Sequence, residues 1–174
     1  VNEKPPVPQK PAPAPKNPPH PDAEFSKELL ALPADADPAA VEAAFNTVID
    51  RATKSPKIIT VLGVAPVATL PNWSEPLRKS VYALFNELAP LGPYPKGNGY
   101  EQLAFRVITE ATAQNRITDL ESIAPALWLA TSVTDKGYIF PAADAYAKLA
   151  AKSLTDKNPS IAATLARSAT QSIT

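Results

Sequence analysis

Nine of the chain's 21 prolines crowd into its first 21 residues, as Pro5, Pro6, Pro8, Pro11, Pro13, Pro15, Pro18, Pro19 and Pro21. Proline holds φ at about −65° and has no amide to donate, so neither a helix nor a sheet ladder can run through such a stretch. The conformation left open is polyproline II, a semi-rigid rod rising ~3.1 Å per residue and so roughly 60 Å long here. Lys4, Lys10 and Lys16 keep the rod soluble, opposed only by Glu3. The chain is therefore expected to divide into an extended tail over 1–21 and one folded body over 22–174, about 150 residues, a common domain size.

The body reads as helices throughout. Asp37-Pro38 pairs a capping acid with proline at the first helical position, where the missing amide costs nothing. Val41, Phe45, Val48, Ile49 and Ala52 then recur on one helical face. Asp22 is positioned to cap a short helix bearing Phe25, Leu29 and Leu30, which Pro33 ends. Ser74-Glu75-Pro76 opens a helix with Leu77, Val81, Leu84, Phe85 and Leu88 inward. Asn98 with Glu101 resembles a capping box ahead of Leu103, Val107, Ile108 and Ala111, and Thr118 with Glu121 forms another ahead of Ile123, Leu127, Trp128 and Val133.

Lys136-Gly137 should end that helix and Tyr138-Ile139-Phe140 should form a connector. Pro141 would then start a helix with Tyr146, Leu149, Ala150 and Leu154, and Asn158-Pro159 the last one, with Ile161, Leu165 and Ser168 on one side. Residues 56–70 are ambiguous, because Ile58-Ile59-Thr60-Val61 suits a strand for which the chain offers no partner. An unpaired strand leaves its peptide groups unsatisfied, so a buried helix interrupted near Pro66 is the expected solution. The expectation is an all-α fold, an irregular bundle of seven or eight helices of 10–18 residues behind the proline-rich tail.

Residues 41–53, beginning Val41-Glu42-Ala43-Ala44-Phe45-Asn46, resemble a segment of the group 5 grass pollen allergens, which are Ala-rich helical bundles. The likeness covers one helix, contains no functional motif, and implies nothing about activity.

Several chemistries lack their residues. Cysteine is absent, which removes disulfides, thiolate metal ligands and cysteine nucleophiles together. The one histidine, His20, sits in the tail between two prolines, where no nucleophile can be held against its ring. No metal site and no cofactor is expected. Seventeen basic and 17 acidic side chains cancel, and Arg51, Arg78, Arg106, Arg116 and Arg167 are dispersed, which argues against nucleic acid as a partner. No apolar run is long enough to span a membrane. Acids such as Asp35, Asp37, Asp119 and Glu121 sit where helix starts attract carboxylates, leaving a two-carboxylate hydrolase as a minor alternative. Gly97-Asn98-Gly99 lacks the Lys-Ser/Thr of a phosphate-binding loop, and Asn72-Trp73-Ser74 is a formal glycosylation triplet in which Ser74 already has a capping role.

What remains is recognition. Pro5, Pro8 and Lys10 fit Pro-x-x-Pro-x-basic, the form in which a preformed polyproline helix docks on a partner. Residues 90–99 hold three prolines and three glycines and form the one long loop, with Tyr94 and Tyr100 as candidates for a contact surface. Trp73, Trp128 and Phe140 could line a pocket for a small apolar ligand. The absence of Met at position 1 leads to the expectation of a processed N-terminus, in an exported or organelle-lumenal protein. The sequence thus points to a non-catalytic structural or interaction protein, an accessory or self-assembling subunit with the tail as tether or docking arm. A carrier of a small apolar ligand is the alternative.

Overall fold

The computed structural model describes residues 21–55, 60–88, 97–120, 123, 126, 127, 130 and 136–171, and the side chains of all of these except 21, 117, 136–145 and 168–171. The described residues are helical and contain no strand. After a 3-10 turn at Pro21–Ala23 come α1 (Lys27–Leu30), α2 (Pro38–Thr53), α3 (Ala65–Ala68), α4 (Glu75–Ala83), α5 (Tyr100–Ala113), α6 (Lys136–Thr155) and α7 (Pro159–Gln171). A π-helical turn, Leu84–Leu88, prolongs α4, and a 3-10 turn, Ile117–Leu120, follows α5. The proline-rich tail lies outside the described residues.

The capping signals act where the local chemistry is unambiguous. Asp37 accepts from the Ala39 amide at 3.4 Å and Ser74 from the Leu77 amide at 3.1 Å, each with a proline just inside the helix. The five expected core residues of α2 are all buried, as are Leu77, Val81, Leu84, Phe85 and Leu88 along α4 and its π extension. α2 packs on α4, α5 on α6, and α6 folds back along α7.

Other expectations need correction. Of residues 56–70, 56–59 lie outside the described residues; over the rest the expected buried helix is reduced to Ala65–Ala68, and 60–64 is irregular. Among the apolar residues of α1 and α6, Leu30 and Leu154 are 50% and 62% exposed. At the end of α6 it is Ser153, seven residues beyond Tyr146, that keeps to the buried face, with its hydroxyl lacking a hydrogen-bond partner. α6 begins at Lys136, so the connector expected at 138–140 is helical and Pro141 lies within the helix. Thr118 falls inside a 3-10 turn and not at a helix cap.

Two helices end on the same device. Arg116 donates to Ala111 O at 2.9 Å and Asn115 to Thr112 O at 3.4 Å, and Asn158 and Lys157 repeat the pattern onto Ser153 O at 2.8 Å and Leu154 O at 3.1 Å. Both Schellman turns require a left-handed residue, supplied by Asn115 at φ 59° and Lys157 at φ 60°. Asn tolerates that region better than Lys. At the other end of α5, Gly99 stands at φ +90°, and a Cβ there would lie 2.5 Å from Ala65 Cα. Substitution should therefore act with opposite signs at two positions. Lys157→Gly gains about 0.5–1 kcal/mol, whereas Gly99→Ala loses about 3 kcal/mol, both read from urea unfolding midpoints.

α1 is fastened to α2 by Arg51, which grips Glu28 through both guanidinium nitrogens, one at 2.8 Å, and also donates to Phe25 O at 3.0 Å. The hydrogen bonds from Arg51 hold the Glu28 carboxyl at about 2, well under its ordinary 4.5. A depressed carboxylate stabilises the fold above its unfolded pKa and loses that contribution as pH falls through the folded one. Glu28→Gln is thus expected to be less stable than the parent chain at neutral pH. The gap should narrow below pH 4.5 and close near pH 2, as followed by thermal unfolding across that range.

Candidate functional site

The largest polar cluster among the described residues is built where the start of α4 meets the end of α5. The capping Ser74 starts α4, so Glu75 and Arg78 emerge one turn apart and pair at 2.7 Å. Arg78 is 5% exposed and continues inward, its Nε 3.4 Å from Glu110 Oε2 and its Nη2 donating to Gln114 Oε1 at 3.3 Å and Trp73 O at 3.4 Å. The Schellman turn after α5 delivers Arg116 beside Glu75, at 3.2 Å, and beside Asp119, at 2.9 Å. Tyr82 donates to the same Asp119 oxygen at 3.4 Å. Arg106 sits 5.4 Å over the Trp73 ring, donates to Pro71 O at 3.1 Å and lies 3.6 Å from Glu110.

Three guanidinium groups thus meet three carboxylates. Burial opposes the charge on Glu75, but Arg116 and Arg78 outweigh it and hold the carboxyl below its usual range. A general acid needs the reverse shift. Burial, reinforced by the charge of Asp119, pushes the Tyr82 phenol up to about 12, so it stays a proton donor at any ordinary pH. Each group is held in place by an oppositely charged or hydrogen-bonding neighbour, which suits a clamp between helices. Among the described residues, no group of three or more His, Asp or Glu is arranged to hold a metal ion. No described helix is long and apolar enough to cross a membrane.

A second feature is apolar. Leu29, Leu32, Pro33, Pro66, Leu70 and Pro71 line an open hollow of about 300 Å³ between α1, α2 and α3. Across Thr69 a shallower and more polar one of about 460 Å³ runs along α5, lined by Gln102, Arg106 and Thr109 as well as Ala68 and Phe105. Four prolines, Pro33, Pro38, Pro66 and Pro71, border the first hollow and are exposed.

Of the candidate residues from sequence, the described side chains are those of Tyr100 and Trp73. Tyr100 is not on a contact surface: it is 1% exposed, meets Phe85 edge-on at 6.3 Å and donates its hydroxyl to Val61 O at 2.8 Å. Trp73 is 6% exposed, and its indole donates to Val67 O at 3.0 Å beneath Arg106. Trp128 and the side chain of Phe140 lie outside the described residues, as do Tyr94, Pro5, Pro8, Lys10 and His20. Asn98 does not cap α5; Gly99 takes that position.

The arginine cluster was hidden by sequence distance. Glu75–Arg78, Arg106–Glu110 and Arg116–Asp119 each show as a pair three or four residues apart. The links that join them, Arg78–Glu110 and Arg116–Glu75, cross 32 and 41 residues.

Removing Arg78 leaves Glu110, 11% exposed at its side chain, without its deepest cation. Arg78→Ala is expected to cost about 3 kcal/mol. Arg116→Ala, at a guanidinium 31% exposed, should cost much less, a contrast measurable by denaturant unfolding of the two variants.

No protein-family model matches the chain, and neither a curated protein nor a solved structure matches it.

Proposed function

We propose that the chain is a non-catalytic structural and interaction protein, an accessory or self-assembling subunit of a larger complex, in which residues 1–21 serve as a tether or docking arm. The observation that supports this most is a contrast in how the surface is used. Where α4 meets α5, Glu75, Glu110 and Asp119 are tied to arginines, and Glu75 is held away from the pKa a proton donor needs. The hollow between α1, α2 and α3 is open, apolar and bordered by rigid proline rings, as contact surfaces are. A carrier of a small apolar ligand would bury most of that ligand in an enclosed pocket, and hollows this open suit it less well.

Light scattering on the full chain across a dilution series tests the proposal. The expected result is a mass that rises above the 18.4 kDa of one chain as concentration increases, or a stable complex recovered with a partner. A strict monomer that captures nothing would overturn it. So would a hydrolytic activity that disappears on replacing Glu75 or Glu110.

A further inference from the structure

We infer that Asn98 is a modification site, at which the fold gates conversion of the side-chain amide to a carboxylate through a cyclic imide with Gly99. The product loosens the buried segment at 60–64. This chemistry is independent of the interaction role proposed above.

Of the eight asparagines in the chain, Asn98 alone precedes a glycine. Glycine has no side chain to shield its amide nitrogen or to restrict the backbone, so that nitrogen can approach the asparagine's Cγ. Once the Gly99 amide gives its proton to hydroxide, the nitrogen adds to Asn98 Cγ and a new C–N bond forms. The Cγ–Nδ2 bond then breaks, and Nδ2 leaves as ammonia with a proton from water. A second water opens the five-membered imide at either carbonyl, leaving aspartate or isoaspartate. The net change is the amide and one water for a carboxylic acid and one ammonia, with no electron transfer.

In the folded chain, ring closure is opposed at both reacting groups. Asn98 is half-buried, its Oδ1 accepting from the Gly63 amide at 2.6 Å and its Nδ2 donating to Val61 O at 3.0 Å. Bringing Cγ onto the Gly99 nitrogen draws the carboxamide away from both. Gly99 is buried at φ +90°, with its backbone so near Ala65 that a Cβ would lie 2.5 Å from Ala65 Cα. The turn must lift from Ala65 before the imide can form, so the rate follows the population of that local opening. The product does not restore what was lost. An ionised aspartate can accept from the Gly63 amide but has no proton to donate, and it sets a negative oxygen against Val61 O. Isoaspartate adds a methylene to the main chain just where Gly99 meets Ala65. The positive end of α5 favours a carboxylate beside it, but that is the smaller effect. Tyr100 still donates to Val61 O, which keeps the segment attached while it opens more often.

Peptide mapping by mass spectrometry on the full chain, held at mildly alkaline pH, tests the site, with enzymatic methylation of isoaspartate as a second readout. In urea, Asn98 should convert faster than any other asparagine, and in the folded chain at least about tenfold more slowly than in urea. Tyr100→Phe takes a donor from Val61 O and should speed conversion several-fold in the folded chain while leaving the urea rate unchanged. Arg116→Ala, at the far end of α5, should leave both rates unchanged. Asn98→Asp stands for the product, and hydrogen exchange at the amides of 60–64 should quicken about tenfold while exchange within α2 does not. Where that variant folds poorly, exchange in the parent chain after partial conversion makes the same comparison. Equal conversion rates in the folded and unfolded chain would overturn the gate, as would equal acceleration by Tyr100→Phe and Arg116→Ala. Unchanged exchange at 60–64 after conversion would overturn the structural consequence.

Discussion

The fold is organised around a buried stretch of backbone that belongs to no regular element. Residues 60–64 pass among the helices with Val61 and Val64 fully buried and Thr60, Leu62 and Gly63 half-buried, and their peptide groups give up part of their water without gaining a ladder. Side chains take water's place. The amides of Thr60, Leu62 and Gly63 donate to Asp22 at 3.3 Å, Ser26 at 2.7 Å and Asn98 at 2.6 Å. Val61 O accepts from Asn98 at 3.0 Å and from Tyr100 at 2.8 Å. An unsatisfied buried peptide group costs about 1–3 kcal/mol, so these contacts decide whether the segment can be buried at all. They also set positions elsewhere. With its side chain engaged on 61 and 63, Asn98 cannot cap α5, and Gly99 takes that position pressed against Ala65.

The arginine cluster does comparable work at the other end of α5, by a different balance. Burying Arg78 removes it from water at a cost of several kcal/mol, which attraction to a single carboxylate offsets poorly. Here two carboxylates, a carbonyl and an amide oxygen surround the guanidinium. Arg106 covers Trp73, and Trp73 in turn donates to Val67 O just before the end of α3. α3 is thus held from both sides, by Gly99 against Ala65 and by Trp73 against Val67, although a four-residue helix has too few internal hydrogen bonds to persist alone. The ridge that divides the two hollows is rigid because of contacts made on its inner face.

What could be read from the sequence follows the range of the interactions involved. Proline after a capping residue, at Asp37-Pro38 and Asn158-Pro159, marks helix starts within two residues, and the α2 stripe from Val41 to Ala52 marks a buried face by period alone. Such signals are local. The segment at 60–64 was misjudged because the expected alternatives were a strand with a partner or a helix. Satisfaction by Asp22, Ser26, Asn98 and Tyr100 draws on residues 35–39 positions away. Tyr100 looked like a loop tyrosine because glycines surround it, yet those glycines let the chain turn tightly enough to drive its ring into the core. Arg78, Arg106 and Arg116 are dispersed in sequence, and folding gathers them into one cluster.

The same distinction bears on where binding can reside. A surface that recognises something must keep its shape before the partner arrives, or the partner must supply the ordering free energy. The interior contacts hold α1, through Glu28 and Arg51, and α3, through Gly99 and Trp73, so the hollows between them are formed in advance.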